Sequence, residues 1–362
     1  MTDEVLSAAI HARMLAALPP VASAREVPAP GSLAPSPAGE QGSYLAELAR
    51  FDALLSEYPR RTGKTVRGRL VVLSARAHGA SADTAAEAAV TVAAALELFQ
   101  AWVLIHDDIE DHSESRRGEP ALHRLVGMPV ALNVGDALHV RMWRLLHELL
   151  RVPVDATGII DEFATMIDRT AQGQHLDLAW VERGEVDIGA RAYLHMVTLK
   201  TAYYTVVSPL RLGALVAGAR PDPALTQAGI DLGVAFQIRD DVLNLRPGSA
   251  ASAAYGKEFA GDLYEGKRTL ITTHLLDNAS TRERAEIVGL LAGPRAARGE
   301  AAVTRLLALI DRHGSLDYAQ RFAEQRAAAG LAAMRLALAR LPDGAAADRL
   351  LSILDSVAVR AS

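Results

Sequence analysis

The chain has 362 residues, half of them hydrophobic, a formal net charge of -5, and no cysteine. That length and apolar content can bury a large core, which excludes a mostly disordered protein. The acidic balance argues against a general nucleic-acid binder, and the missing cysteines exclude disulfides, thiolate-bound zinc and iron–sulfur clusters.

The N-terminus carries early acids and no basic leader before an apolar run, so no secretory signal is expected, and the chain is read as cytoplasmic. From Pro19 to about Gly42 the sequence is rich in Pro, Ala, Ser and Gly, too poor in large apolar side chains to offset chain entropy. Residues 1–43 are therefore read as a flexible arm, and 44–362 as a single folded domain beginning near Tyr44.

Beyond that point helical periodicity recurs almost to the end, and convincing strand alternation is absent. Thr84 with Glu87 reads as a capping box near the start of a helix running to Ile105 and Asp111. Its stretch from Ala88 to Ile105 is the most membrane-like of the chain, but Glu97 and Gln100 interrupt it and two aspartates close it, so no membrane span is expected. Further helices are predicted over Leu132 to Leu150, Ala156 to His175, Ala190 to Val206, Pro209 to Ala219, Asp222 to Leu245, Thr269 to Leu291, Ala301 to His313, Leu316 to Arg340 and Ala346 to Val359. Prolines at 153, 221, 247 and 342 supply breaks. The expected fold is all-α.

Two aspartate clusters stand at the ends of apolar helices: Asp107-Asp108-Ile109-Glu110-Asp111, and Asp240-Asp241-Val242-Leu243-Asn244. Carboxylates four apart share one helical face, so Asp107 and Asp111 can grip hard cations such as Mg²⁺. Asp240 and Asn244 repeat the spacing; Asn244 adds no charge and is placed in an outer shell. Arg116 and Arg117 follow the first cluster, and Lys257, Lys267 and Arg268 the second, as cations suited to phosphate. If the two helices face each other, both clusters open at one mouth of a bundle.

The first cluster with Arg116-Arg117-Gly118, Pro120 and His123 resembles the first aspartate-rich region of the trans-isoprenyl diphosphate synthases, the polyprenyl synthetase family. Gly173-Gln174-x-x-Asp177-Leu178, Lys200-Thr201, Phe236-Gln237-x-x-Asp240-Asp241, Gly256-Lys257 and Gly261-x-x-Tyr264-Glu265-Gly266-Lys267-Arg268-Thr269 occur in that family's order, with Gly63-Lys64-x-x-Arg67 upstream. The likeness spans roughly residues 44–290, and the Asp-Asp-x-x-Asn-Leu spelling is most like geranylgeranyl diphosphate synthases.

The resemblance implies a helical bundle of the isoprenoid synthase type around a central apolar cavity, a homodimer, and three Mg²⁺ ions per site. An allylic diphosphate (dimethylallyl, geranyl or farnesyl) would be held through metal at Asp107, Asp111 and Asp240 and by Arg116, Lys200, Lys257 and Lys267. Isopentenyl diphosphate would sit on Lys64, Arg67, Gln100 and Arg117. Thr201 and Gln237 would turn oxygen dipoles toward a transient allylic cation. Gln100 stands where many relatives have histidine, and Gly68 replaces a proline, which is expected to loosen the loop carrying Lys64 and Arg67.

Product length would follow the depth of an apolar tunnel. Val103 lies one turn, about 6 Å, below Asp107 and Trp102 about 7.5 Å below but rotated away. By family analogy, the aromatic Trp102 is the expected floor and the C20 diphosphate the expected product. Other readings are a farnesyl or longer-chain synthase, a class I terpene cyclase, a regulatory subunit of a prenyl synthase heteromer, and a His-Asp phosphohydrolase using His106 and His112.

Overall fold

The computed structural model describes residues 2–19, 40–61, 63, 65–80, 83–246, 259–293, 295 and 298–359. Seventeen α-helices are described. They are α1 (Asp3–Ala16), α2 (Glu40–Leu55), α3 (Glu57–Arg60), α4 (Val66–Ala77), α5 (Asp83–Glu110), α6 (Leu122–Val126), α7 (Met128–Glu148), α8 (Ala156–Glu182), α9 (Gly189–Val197), α10 (Ser208–Val216) and α11 (Pro223–Asn244). They continue as α12 (Gly261–Glu265), α13 (Leu270–Asn278), α14 (Thr281–Ala292), α15 (Glu300–Arg312), α16 (Ser315–Leu338) and α17 (Gly344–Val359). A π-helical segment, Thr198–Val207, joins α9 to α10. A small hairpin, β1 (Ser115–Arg116) against β2 (Glu119–Pro120), turns at Arg117 and Gly118.

One apolar core gathers α1, α4, α5, α7 and α17, and a second gathers α9, α11, α13 and α15. Helix α11 packs along α16 and against the π segment, while α5 packs on α7 and α4. Helix α5 passes the length and hydropathy test for a membrane span, but 67% of its apolar window is buried inside the bundle, which makes it a core helix.

The chain departs from the sequence reading at its start. Residues 3–16, assigned to the arm, form α1, which buries Leu6, Ile10 and Met14 against the main core. Thr2 caps it by accepting from the Val5 N–H at 3.4 Å, and Asp3 pairs with Arg69 and with Arg349 of α17. The spacing of four between these apolar residues makes one stripe, which α5 covers. Most of the Pro-rich remainder of the arm, residues 20–39, lies outside the described residues.

The helix predicted from Thr269 to Leu291 is two. Ala279 leaves the helical conformation, and Ser280 and Glu283 form a reciprocal capping box that starts α14. Thr84 is already inside α5 rather than capping it.

Close backbone approach explains the π segment. A Cβ on Gly173 of α8 would stand 2.3 Å from the Lys200 nitrogen, and one on Gly233 of α11 would stand 2.5 Å from the Ala202 Cα. Only glycine on both flanking helices lets this wider turn lie between them, a local geometry frequent at functional sites.

Candidate active site

Helix α5 ends in the first acidic cluster, and the hairpin folds Arg116 back over it. Arg116 donates to both Asp108 oxygens, with its Nε at 3.0 and 3.1 Å, and to Asp107 at 3.3 Å. Tyr58 of α3 also donates to Asp108, at 2.6 Å. Burial alone would lower the Arg116 pKa, but the Asp108 carboxylate more than offsets it and keeps the guanidinium charged. Asp108 is thus fully committed inside the protein, which leaves Asp107 and Asp111 as the carboxylates turned toward partners from other elements.

Those partners are lysines. Lys200 of the π segment lies 2.6 Å from Asp177 of α8 and 3.9 Å from Asp107. Lys267, just beyond α12, lies 2.6 Å from Asp111 and 2.8 Å from Glu265. Burial would strip the proton from each lysine, yet the surrounding carboxylates hold both pKa values above the ordinary lysine range. Burial pushes the Asp111 carboxyl up, Lys267 opposes this, and the neighbouring Asp107 and Glu265 charges add to it. The cluster is therefore crowded with hard oxygen donors.

The second cluster repeats the device. Asp241 of α11 is buried and accepts from Tyr193 at 2.6 Å and from Gln237 at 2.8 Å. Burial raises its pKa, and the adjacent Asp240 and Asp177 charges raise it further. Gln237 accepts from Thr201 at 2.9 Å, so the π segment and α11 are linked at this point. Asp240 is half-buried on the penultimate turn of α11. Asn244 accepts from the Asp262 N–H at 3.1 Å, tying the end of α11 to the turn that carries Lys267.

The two acidic helix ends thus share a cationic frame. Lys200 touches the first cluster and, through Asp177, stands beside the second; Lys267 follows the second in sequence and binds the first. Asp107, Asp111 and Asp240 supply the oxygen donors that Mg²⁺ prefers, and the excess acid around Asp111 fits a cation. Among the described residues no three His, Asp or Glu side chains already form a metal cage.

A second, basic cleft lies beside the first. His11 and Met14 of α1, Arg61, Gly63, Thr65, Gln100, Arg116 and Arg117 line it. With its amide turned to suit its neighbours, Gln100 accepts from Arg67 at 2.8 Å and donates to Glu97 at 3.2 Å. Arg67 also donates to Thr205 at 3.1 Å and stacks 4.6 Å above the Tyr204 ring. Thr65 and Arg117 carry left-handed φ values of 42° and 55°, a cost that two residues of one cleft share. Gly68 does not loosen this region as expected. It sits inside α4, and its N–H donates to Glu97 at 3.0 Å, a bond that proline could not make. Lys64 and Lys257 lie outside the described residues.

Trp102 faces α7. Its indole stacks on His139 at 3.9 Å and meets Phe99 and His106 edge-on. Trp143 donates to His139 at 2.7 Å and so fixes the stack. Val103 packs against the main core. His106 pairs with Asp136 of α7 at 3.6 Å, on the side of Trp102.

The sequence reading missed Tyr58, Tyr193 and Glu97 as site residues. Glu97 was legible as an acid within an apolar run, three residues before Gln100 and so on the same face. Nothing local marked the tyrosines, because each reaches its aspartate from a separate helix.

The polyprenyl synthetase family profile matches residues 49–310. The short chain isoprenyl diphosphate synthase of Methanothermobacter thermautotrophicus is 34% identical over 266 residues, covering 72% of this chain and 76% of that relative. The geranylgeranyl diphosphate synthase of Sulfolobus acidocaldarius is 33% identical over 267 residues, 73% of this chain and 77% of the relative. Among solved structures, the polyprenyl synthase of Caulobacter crescentus, complexed with calcium and isoprenyl diphosphate, superposes with a TM-score of 0.77 at 25% identity, covering 99% of this chain and 96% of that one.

Proposed function

This chain belongs to the polyprenyl synthetase family, as a short-chain trans-prenyltransferase, and we propose that it condenses isopentenyl diphosphate with an allylic diphosphate to make mainly geranylgeranyl diphosphate. The observation that carries this reading is the shared frame of Lys200 and Lys267 between the two acidic helix ends.

In this reading Asp107, Asp111 and Asp240 would hold magnesium, three ions per site. The ions, when bound, supply positive charge that stabilises a departing diphosphate. Arg116, Lys200 and Lys267 neutralise the phosphate oxygens from the protein side, in a setting where burial strengthens each contact, and Lys257, outside the described residues, is expected to add a further charge. Asp108 and Asp241 contribute differently: held by Tyr58 and by Tyr193, they anchor the helix ends. The Thr201 hydroxyl and the Gln237 amide oxygen place lone pairs beside the carbon that becomes cationic as the C–O bond breaks. Gln100 and Arg117 in the basic cleft, with Arg67 bonded to Gln100, orient isopentenyl diphosphate so that its double bond attacks that carbon, and Lys64, outside the described residues, is expected to join them. The released diphosphate takes the proton lost after the C–C bond forms.

Trp102, held by its stack on His139 and the Trp143 bond to that ring, would close an apolar tunnel below the first cluster, with Val103 beside it, and the rigidity of that stack supports the C20 product. Met128, Val130, Leu132 and Val140 leave an exposed apolar face on α7, which supports a homodimer joined there.

The test is product analysis by chain length, supplying isopentenyl diphosphate with each of the dimethylallyl, geranyl and farnesyl primers under Mg²⁺. Formation of a C20 diphosphate from each supports the reading. Primer consumed without isopentenyl diphosphate, with release of hydrocarbon or free phosphate, would overturn it in favour of cyclisation or hydrolysis.

A further inference from the structure

Arg298 precedes α15, distant in sequence from every residue placed in the site, and only 2% of it is exposed. Its guanidinium donates to the main-chain carbonyls of Tyr264 at 2.9 Å, Glu265 at 2.8 Å and Leu291 at 3.1 Å, and also to that of Gly293. None of these acceptors carries a formal charge. Beside it Arg268, 1% exposed, donates to the carbonyls of Glu185 at 2.7 Å and Trp180 at 3.3 Å, and to that of Gly266. Burial, and after it the Arg298 charge, lower the Arg268 pKa to about 10. Two neighbouring buried cations bound mainly to carbonyls are an expensive arrangement for a fold to keep.

What the pair encloses is the turn from Tyr264 to Arg268. Gly266 at its centre has φ +73°, and a Cβ there would stand 2.6 Å from the Arg298 Cζ. The guanidinium therefore lies flat against the turn backbone. The next residue is Lys267, whose ammonium meets Asp111 and Glu265.

We propose that Arg298 is the positioning residue for Lys267: by holding the carbonyls that precede Gly266, it fixes the backbone from which Lys267 reaches the diphosphate. The planar fork of arginine can bind several carbonyls of a turn at once, which a lysine ammonium in its place would do with looser geometry. This inference rests on the proposed function only in taking the anion at Lys267 to be a magnesium-bound diphosphate.

The experiment compares the wild-type enzyme with Arg298→Met and Arg298→Lys, reading the calorimetric affinity for pyrophosphate with Mg²⁺ and the KM of each substrate. Outer partners that orient a binding group are worth about 10–100-fold. Arg298→Met is expected to weaken pyrophosphate binding and raise the allylic KM by roughly that range, with the isopentenyl diphosphate KM unchanged, and Arg298→Lys to recover part of the loss. In Lys267→Met, adding Arg298→Met should cost no further affinity, because Arg298 acts through that lysine.

A folded Arg298→Met protein with unchanged pyrophosphate affinity, or with both KM values raised alike, would overturn the proposal. If Arg298→Met does not fold, Gly266→Ala, which drives a methyl into the guanidinium, is expected to show the same split, and unaltered pyrophosphate binding in it would equally overturn the proposal. Wild-type enzyme that binds pyrophosphate in an Arg298-dependent way but forms no prenyl product would refute the proposed function and leave Arg298's role standing.

Discussion

Replacing Gly173 by alanine should damage this enzyme far more than a glycine-to-alanine change in a helix usually does. The new methyl would stand 2.3 Å from the Lys200 nitrogen and 2.6 Å from its Cα, both main-chain atoms that cannot rotate aside. Restoring ordinary contact at about 3.5 Å requires α8 and the π segment to part by roughly 1 Å. Overpacking of that kind costs about 1–3 kcal/mol. The same displacement moves Lys200 relative to Asp107 and Asp177, and a misplacement of about 1 Å in a reacting assembly can cost ~100-fold in rate. Thermal unfolding and steady-state turnover measure the two effects. Gly289→Ala is the control, because Gly289 lies in α14 with nothing within 4 Å of its would-be Cβ. That substitution should gain about 0.5–1 kcal/mol from helix propensity and leave turnover intact. A Gly173→Ala enzyme indistinguishable from the control would refute the close packing of the π segment.

Trp102→Ala should open the tunnel floor and lengthen the product, read by chain-length analysis; an unchanged distribution would remove Trp102 from that role. Arg116→Ala leaves Asp108 buried with only Tyr58 to satisfy it and should cost about 3–5 kcal/mol in chemical denaturation. Wild-type stability in that variant would contradict the buried pairing. Burial raises the Glu97 pKa, so the folded state disfavours the carboxylate, and this group's stabilising contribution is lost as pH rises from the ordinary glutamate value through the folded one. Glu97→Gln should therefore gain on the wild type as pH increases across that window, measured as the difference in unfolding free energy; a constant difference would refute the burial argument.

The shared face of Asp107 and Asp111, and of Asp240 and Asn244, was legible in the sequence because four-residue spacing on a helix fixes it. Long helices such as α5 and α11 were legible for the same reason. Helix α1 was lost to the Pro-rich stretch beyond it, although Leu6, Ile10 and Met14 already spelled one apolar stripe. The break before α14 was also written locally, in Ser280 and Glu283. The π segment was not, since its cause sits in Gly173 and Gly233 on other helices. The spacing left Asp108 and Asp241 without a role in the sequence, and only tyrosines reaching them from remote helices show them to be anchors. Arg298 had no local signal, because its partners are backbone carbonyls that any residue would supply.

The most direct measurement is a double-mutant cycle on pyrophosphate affinity in the presence of Mg²⁺, using Asp107→Ala, Asp240→Ala and the pair together, with helicity checked by circular dichroism. If both helix ends hold one magnesium-bound diphosphate, each single change removes most of the affinity and the double change adds little to either. Additive losses, or near-normal affinity in either folded single variant, would contradict it.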